Sequence, residues 1–354
     1  MGRHPSGRLA GASFMLALVL GAALVVASPL TAAERNSYTV TPLVSDQPGT
    51  AAHFDPNLVN AWGLTASGSS PWWVSDNGTD RSTLYLGNGT PLALVVRVDG
   101  GPTGAVSNPT TAFVLPTGGR AAFLFDSEDG KIRAWNGAQG TTAIVVKDRS
   151  GEGAIYKGLA TADTPAGPRL YAADFHNARI DVLDASFGLV PGGFEDPALP
   201  LGYAPFNVQT IGNRVFVAYA KQDEEGEDEV AGQGRGFVDA YDLAGNLLGR
   251  VAQHGQLNAP WGLALAPAGF GRFGGDLLVG NFGDGQINAY EELQNGHFQH
   301  RGELRSSDGS PLSIDGLWAL RFGNGGNAGP TGTLFFTAGP DEETHGLFGS
   351  ITAD

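Results

Sequence analysis

Cysteine is absent from the 354 residues, so the chain carries no disulfide, no thiol nucleophile and no cysteine for lipid attachment. Methionine occurs twice, and charged residues make up only 16% of the sequence. Basic residues are scarce: 21 Lys and Arg face 36 Asp and Glu, a net charge of −15. Such a surface repels phosphate backbones, which excludes nucleic acid as a partner. It is equally unsuited to anionic membranes, and cations are its natural counter-partners. No Gly-Lys-Ser/Thr phosphate loop and no nucleophile elbow is present.

Long apolar runs are confined to the beginning. "MGRHPSGRL" supplies Arg3 and Arg8, "FMLALVLGAALVVA" is uncharged, and "SPLTAA" ends in small residues. That order reads as a signal peptide over residues 1–33, cut near Ala33, leaving a secreted or periplasmic protein with no membrane span. An uncleaved anchor is the alternative, because the uncharged stretch from Leu9 to Ala33 could cross a bilayer. The arginines are not paired, so a twin-arginine route has no support. Losing Arg3 and Arg8 takes the net charge from −15 to −17.

What is abundant is glycine, 54 residues, with 21 prolines. Helix interiors tolerate neither in such numbers, whereas tight turns between short strands require them. The phrase "NAWGLTA" (60–66) returns as "APWGLALAP" (259–267) and "DGLWAL" (315–320). Its Trp62 and Trp261 are 199 residues apart, room for four repeats of about 50, within the range of propeller blades. Six copies follow, each an inner strand, an apolar second strand and an alternating third. The inner strands are read at "NAWGLTA", "PTTAFVLP" (109–116), "YKGLATA", "APFNVQTIG", "APWGLALAP" and "DGLWALRFG". Second strands such as "AAFLFDSEDG", "DLLVGNFGDG" and "TLFFTAGPDE" are apolar on both faces, as strands covered on both sides should be. Asp-Gly at 129–130 and 284–285 reads as two-residue hairpin turns. Gly63, Gly158 and Gly262 suit crowded positions near an axis. The sixth copy lacks a fourth strand, and "SYTVTPLVS" (37–45) is free to supply it. The expected fold is all-β: one domain, 34–354, a six-bladed β-propeller closed by its N-terminal strand, with no exposed edge left.

The segments "AAHFDPNLVNAWGL", "PWWVSDNGT", "GYAPFNVQ", "VAYAKQD", "GFVDAYD", "GNFGDGQINAY" and "LFFTAGPDEETHGLFGSI" resemble an exported, uncharacterised bacterial propeller family related to NHL-type six-bladed propellers. Some members of that family carry a PEP-CTERM sorting tail. This sequence has no Pro-Glu-Pro motif before Asp354, so simple secretion is expected. The resemblance implies fold and export and brings no activity. Six-bladed lactonases and gluconolactonase-like enzymes hold a divalent cation, Ca2+ among them, on inner-strand Glu, Asn and Asp oxygens. Asn60, Asn207 and Asp315 would be the corresponding set here, with Lys157 opposing it.

Other polar groups rim the same predicted mouth. His53 and Asp55 stand in "AAHFDPNLVNAW", where Asp-Pro-Asn is also strong turn chemistry. Lys221, Gln222 and Asp223 leave the second strand of copy four, followed by "DEEGEDE" (223–229), which reads as a solvated, self-repelling loop. "PDEETHG" sets Asp341, Glu342 and Glu343 beside His345, a carboxylate–imidazole pairing of the kind acid–base chemistry needs, or a plain hairpin loop. Asp76, Asp126, Asp174 and Asn281 recur at the ends of second strands and read as turn caps. Trp62, Trp261 and Trp318 read as packing anchors. The expected function is binding of a small polar ligand, a glycan or a protein by a monomer. A lactonase-type hydrolase and a structural envelope component are the alternatives.

Overall fold

The computed structural model describes residues 1–2 and 35–354. The chain divides into two compact units, Met1–Ala33 and Glu34–Asp354. The signal-peptide reading and its cleavage point lie outside the described residues. No helix among the described residues is long and apolar enough to cross a membrane.

Strands β1 (Tyr38–Ser45) and β2 (His53–Phe54) precede six repeated sheets. The first blade holds β3 (Ala61–Thr65), β4 (Trp72–Asp76), β5 (Arg81–Tyr85) and β6 (Val96–Arg97). The second holds β7 (Pro102–Ser107), β8 (Phe123–Ser127), β9 (Lys131–Trp135) and β10 (Ile144–Asp148). The third holds β11 (Tyr156–Thr164), β12 (Gly167–Asp174), β13 (Arg179–Leu183) and β14 (Leu189–Val190). The fourth holds β15 (Tyr203–Ile211), β16 (Arg214–Lys221), β17 (Phe237–Asp242) and β18 (Leu247–Gln253). The fifth holds β19 (Pro260–Leu265), β20 (Leu277–Asn281), β21 (Ile287–Glu292) and β22 (Phe298–Glu303). The sixth runs β23 (Leu317–Phe322), β24 (Leu334–Ala338), β25 (Leu347–Ala353), and then takes β1 and β2 from the other end of the unit. The fold is therefore a six-bladed β-propeller.

Closure is antiparallel. β1 pairs with β25 from Tyr38 opposite Ala353 to Ser45 opposite Leu347, with a bulge between Pro42 and Val44. Tyr38 and Val44 are buried by the pairing, so the seal is apolar as well as hydrogen-bonded.

The second strands explain why the ring holds. All five residues of β4, β8, β20 and β24 are buried, because each is sandwiched between two neighbouring blades. Buried clusters fill the seams: Trp73, Phe123 and Trp135 between blades one and two, Val217 and Tyr171 between three and four, Phe336 and Leu278 between five and six. At the glycines of the inner strands there is no room for a side chain. A Cβ on Gly63 would lie 2.3 Å from the Thr103 carbonyl oxygen of the next inner strand, and one on Gly158 would lie 2.3 Å from Asn207 Oδ1.

Two local expectations are corrected. The inner strand of blade two is "PTGAVS" (β7), not 109–116, which lies in the β7–β8 connection. The stretch is apolar because Phe113 and Leu115 fill the seam between blades two and three, Phe113 packing 5.4 Å from Phe187. β7 was hidden by its composition: its Gly104 has the backbone of Leu159 where a Cβ would stand, at 2.4 Å. The Asp-Gly turns are longer than two residues. Glu128–Gly130 joins β8 to β9, with Gly130 at φ +73, and Phe282–Gln286 joins β20 to β21.

Candidate functional site at the channel mouth

Each inner strand starts at the same end of the channel, and the second-to-third-strand connections turn back to that end. Topology alone thus gathers Asn60 (before β3), Asn77 (after β4), Glu128 (after β8), Lys157 (second residue of β11), Asp228 and Glu229 (after β16) and Glu343 (after β24). All of their side chains but that of Glu229 are joined by hydrogen bonds. Lys157 Nζ donates to Glu128 Oε1 at 2.5 Å and to Asp228 Oδ1 at 2.9 Å. Asn77 Nδ2 donates to Glu128 Oε2 at 2.9 Å. Asn60 Nδ2 donates to Asn77 Oδ1 at 3.3 Å and to Glu343 Oε2 at 2.6 Å. Blades one, two, three, four and six all contribute.

Beneath the network lies the answer to the recurring tryptophan phrase. Trp62 stacks on Trp318 with ring centroids 3.8 Å apart, Phe282 stacks on Trp318 at 4.1 Å, and Trp261 meets it edge-on at 5.9 Å. Phe206 completes the plug at 5.7 Å from Trp318. All three tryptophans are buried. Two of their indole N–H groups brace the ring: Trp318 donates to Asn60 Oδ1 (2.9 Å) and Trp261 to the Lys157 carbonyl oxygen (2.9 Å). The repeated phrase is scaffold, and it closes the channel floor.

Charge at the mouth is unbalanced. Four carboxylates, Glu128, Asp228, Glu229 and Glu343, surround one ammonium group. Burial opposes the charge on Lys157, but Glu128 and Asp228 outweigh it and hold the pKa above the ordinary lysine value. Burial raises Glu229 to about 8 against the pull of Lys157, and the carboxylates of Glu343 and Asp228 push the same way. Glu343 is raised for the same reasons, burial first, although the Asn60 amide and Lys157 oppose it. Glu229 thus holds its proton at neutral pH beside the Lys157 ammonium and the side-chain amides.

Of the residues singled out from sequence, Asn60, Lys157, Glu343 and Asp228 of the acidic run belong to this network; the remaining candidates lie elsewhere. Asp55 does turn work: its Oδ1 accepts from the Asn57 backbone and its Oδ2 from the Tyr85 hydroxyl. His53 lies in β2, beside the closing strand. Lys221 is exposed at the end of β16. Gln222 donates to the Phe175 carbonyl oxygen (2.7 Å), and Asp223 accepts from the Glu227 N–H (2.9 Å). His345 pairs with Asp46, at 2.9 Å, not with the carboxylates of 341–343; Asp46 also takes the Gly346 N–H, so this pair fastens the closure. Asp315 is exposed and accepts from the Asp341 N–H.

The oxygens of Asn60, Asn207 and Asp315 do not converge on a cation. Asn60 Oδ1 is taken by the Trp318 indole and Asn207 Oδ1 by the Val208 N–H, while Asn207 Nδ2 donates to the Trp261 carbonyl oxygen deeper in the channel. Among the described residues no group of three or more His, Asp or Glu side chains is arranged to hold a metal. Asn60, Asn207 and Asp315 do not make a Ca2+ site as they stand. The acidic run is corrected too: Asp228 and Glu229 turn into the mouth because Lys157 draws them, so it is not solely a solvated loop. Sequence reasoning passed over Glu128 and Asn77. The signal available was repeat phase, since both follow a second strand as Asp228 and Glu343 do. The strand-end residues do bond locally: Asp126 accepts from the Gly104 N–H and Asp174 from the Asn177 side chain.

No family model matches the chain. Relatives are found in Acanthamoeba polyphaga mimivirus. Its uncharacterized protein R648 is 34% identical over 337 residues, 90% of this chain and 81% of its own length. Its uncharacterized protein L690 is 33% identical over 340 residues, 90% of this chain and 86% of its own. The chain belongs to their family. These relatives give no support to the bacterial origin or the sorting tail that the sequence resemblance implied. Among solved structures, the soluble aldose sugar dehydrogenase of Escherichia coli in its apo form aligns with a TM-score of 0.53 at 12% identity, covering 90% of this chain and 100% of its own. A streptogramin B lyase aligns with a TM-score of 0.51 at 11% identity, covering 90% and 98%. At such identities the likeness is one of fold.

Proposed function

We propose that the protein is an exported binding module whose Lys157-centred mouth takes a small polyhydroxylated or amino-bearing ligand, a glycan above all. The observation carrying this reading is the hydrogen-bonded set in which Lys157 holds Glu128 and Asp228, Asn77 holds Glu128, and Asn60 holds Glu343, above the aromatic plug. Carboxylates accept hydroxyl and ammonium donors, and the excess of negative charge turns acidic ligands away. The aromatic floor stops the ligand at the mouth. Export is supported by the order of basic, apolar and small residues at the start of the sequence.

A glycan array tests it. Neutral and amino glycans should bind, carboxylated ones should not, and Glu343→Gln should weaken every hit at least tenfold. A silent array, or hits that Glu343→Gln leaves unchanged, would overturn the reading and favour an envelope component acting through protein contacts.

A further inference from the structure

The other end of the channel is built differently. There the inner strands finish, and Thr65, Ser107, Thr161, Gln209, Thr210 and Arg321 line a pocket of about 200 Å³. In β11, Lys157 and Thr161 are four residues apart, so roughly 13 Å of strand separates the two levels. The tryptophan plug and Asn207 lie between.

Arg321 is the charged group of this wall. Where Arg133 pairs with Asp129, and Arg250 with both Asp196 and Asp239, a carboxylate offsets the guanidinium. Arg321 has none among the described residues. Its single side-chain hydrogen bond runs from Nη2 to Gln209 Oε1, at 3.3 Å. Burial alone acts on its pKa and pulls it down to about 10, with no neighbouring charge to restore it. Thr210, on the same wall, carries a buried hydroxyl with no protein partner. Arg321 is half-buried at the pocket wall, and a partly desolvated cation without a counter-charge gains from an anion supplied from outside.

We propose that this far mouth is a binding site for a small oxyanion, a carboxylate or phosphate group, held by the guanidinium fork of Arg321. The fork presents paired N–H donors that match such groups bidentately. The pocket is smaller than the about 300–1,000 Å³ of sites for drug-sized ligands, which suits an anion of a few heavy atoms. The proposal is independent of the Lys157 mouth, since the two sites share no residue.

Thermal melts at pH 7 and constant ionic strength test it, with sodium chloride replaced stepwise by sodium acetate or by sodium phosphate. A saturable rise in Tm of about 2 °C at ten times the half-saturating concentration is expected for at least one oxyanion. Acetate alone would assign a carboxylate ligand, phosphate alone a phosphate. Saturation matters, because phosphate also stabilises proteins generally through exclusion from their surfaces. Arg321→Met should abolish the saturable rise while melting at or above the parent without anion, and Arg321→Lys should weaken it at least fivefold. No saturable shift with either anion, or the same shift in Arg321→Met, would overturn the proposal; were Arg321→Met not to fold, an unaltered response in Arg321→Lys would do so.

Discussion

Replacing Lys157 by methionine keeps the length of the side chain and removes the cation on which the mouth is built. Lys157 is 1% exposed, its partners Glu128 and Asp228 33% and 72%. Breaking a fully buried pair costs about 3–5 kcal/mol, because the partner is left charged and unpaired. The exposure of Asp228 reduces its share to the range of about 0–1 kcal/mol typical of surface pairs. We therefore expect a loss of about 2–3 kcal/mol at pH 8. The unit Glu34–Asp354 has 321 residues. At about 2.1 cal/mol/K of unfolding entropy per residue, that loss lowers Tm by about 3–4 °C. The penalty should also depend on pH. Glu229, near 8, and Glu343, raised by burial, rise further without Lys157. Their protonation relieves the repulsion in acid, so the cost is greatest at pH 8 and shrinks towards pH 5. Urea unfolding of both proteins at the two pH values, followed by a double-mutant cycle with Glu128→Gln, reads this directly. A cost below about 0.5 kcal/mol that is equal at both pH values would refute the description of the mouth.

Two further outcomes follow from the scaffold. Trp318→Ala empties the centre of the aromatic plug and should cost about 3–5 kcal/mol by denaturant unfolding, with the network above it loosened through loss of the Asn60 bond; a cost under 1 kcal/mol would mean the plug bears no load. Asp126 is wholly buried and raised to about 7, by burial first, against bonds from Thr103 and Gly104. The folded chain thus keeps a proton that the unfolded chain releases near 3.8, so this contribution is full at low pH and fades as pH rises through about 7. Asp126→Asn, which keeps the acceptor oxygen, should flatten that part of the stability–pH curve, worth up to about 4 kcal/mol. Parallel curves for parent and variant between pH 4 and 8 would contradict the assignment.

The ring was legible because its causes repeat. Trp62, Trp261 and Trp318 recur for one packing reason, and Gly63, Gly158 and Gly262 because inner strands approach too closely for a Cβ. The free alternating strand at 37–45 had one place to go. β7 was missed because an inner strand flanked by close neighbours needs glycine and small residues, while the more apolar loop at 109–116 looked more like a strand. The site was less legible, since its bonded members are 17 to 283 residues apart in sequence and meet only once the connections of five blades turn to one end. Glu128 carries no local signature. Glu343 stood beside His345 in sequence, yet the backbone turn at 341–343, with positive φ at all three positions, sends the two side chains to different partners. Arg321 gave no signal at all, because an arginine is conspicuous only when its surroundings lack a carboxylate.

The most direct test of the mouth as the binding site is a hydrogen-exchange footprint of the intact protein with the strongest binder from the glycan array. The account predicts new protection in the connections at 77–80, 128–130, 222–230 and 339–346, and none at the blade rims. Protection confined to the rims, or to the far ends of the inner strands around Thr210 and Arg321, would contradict it.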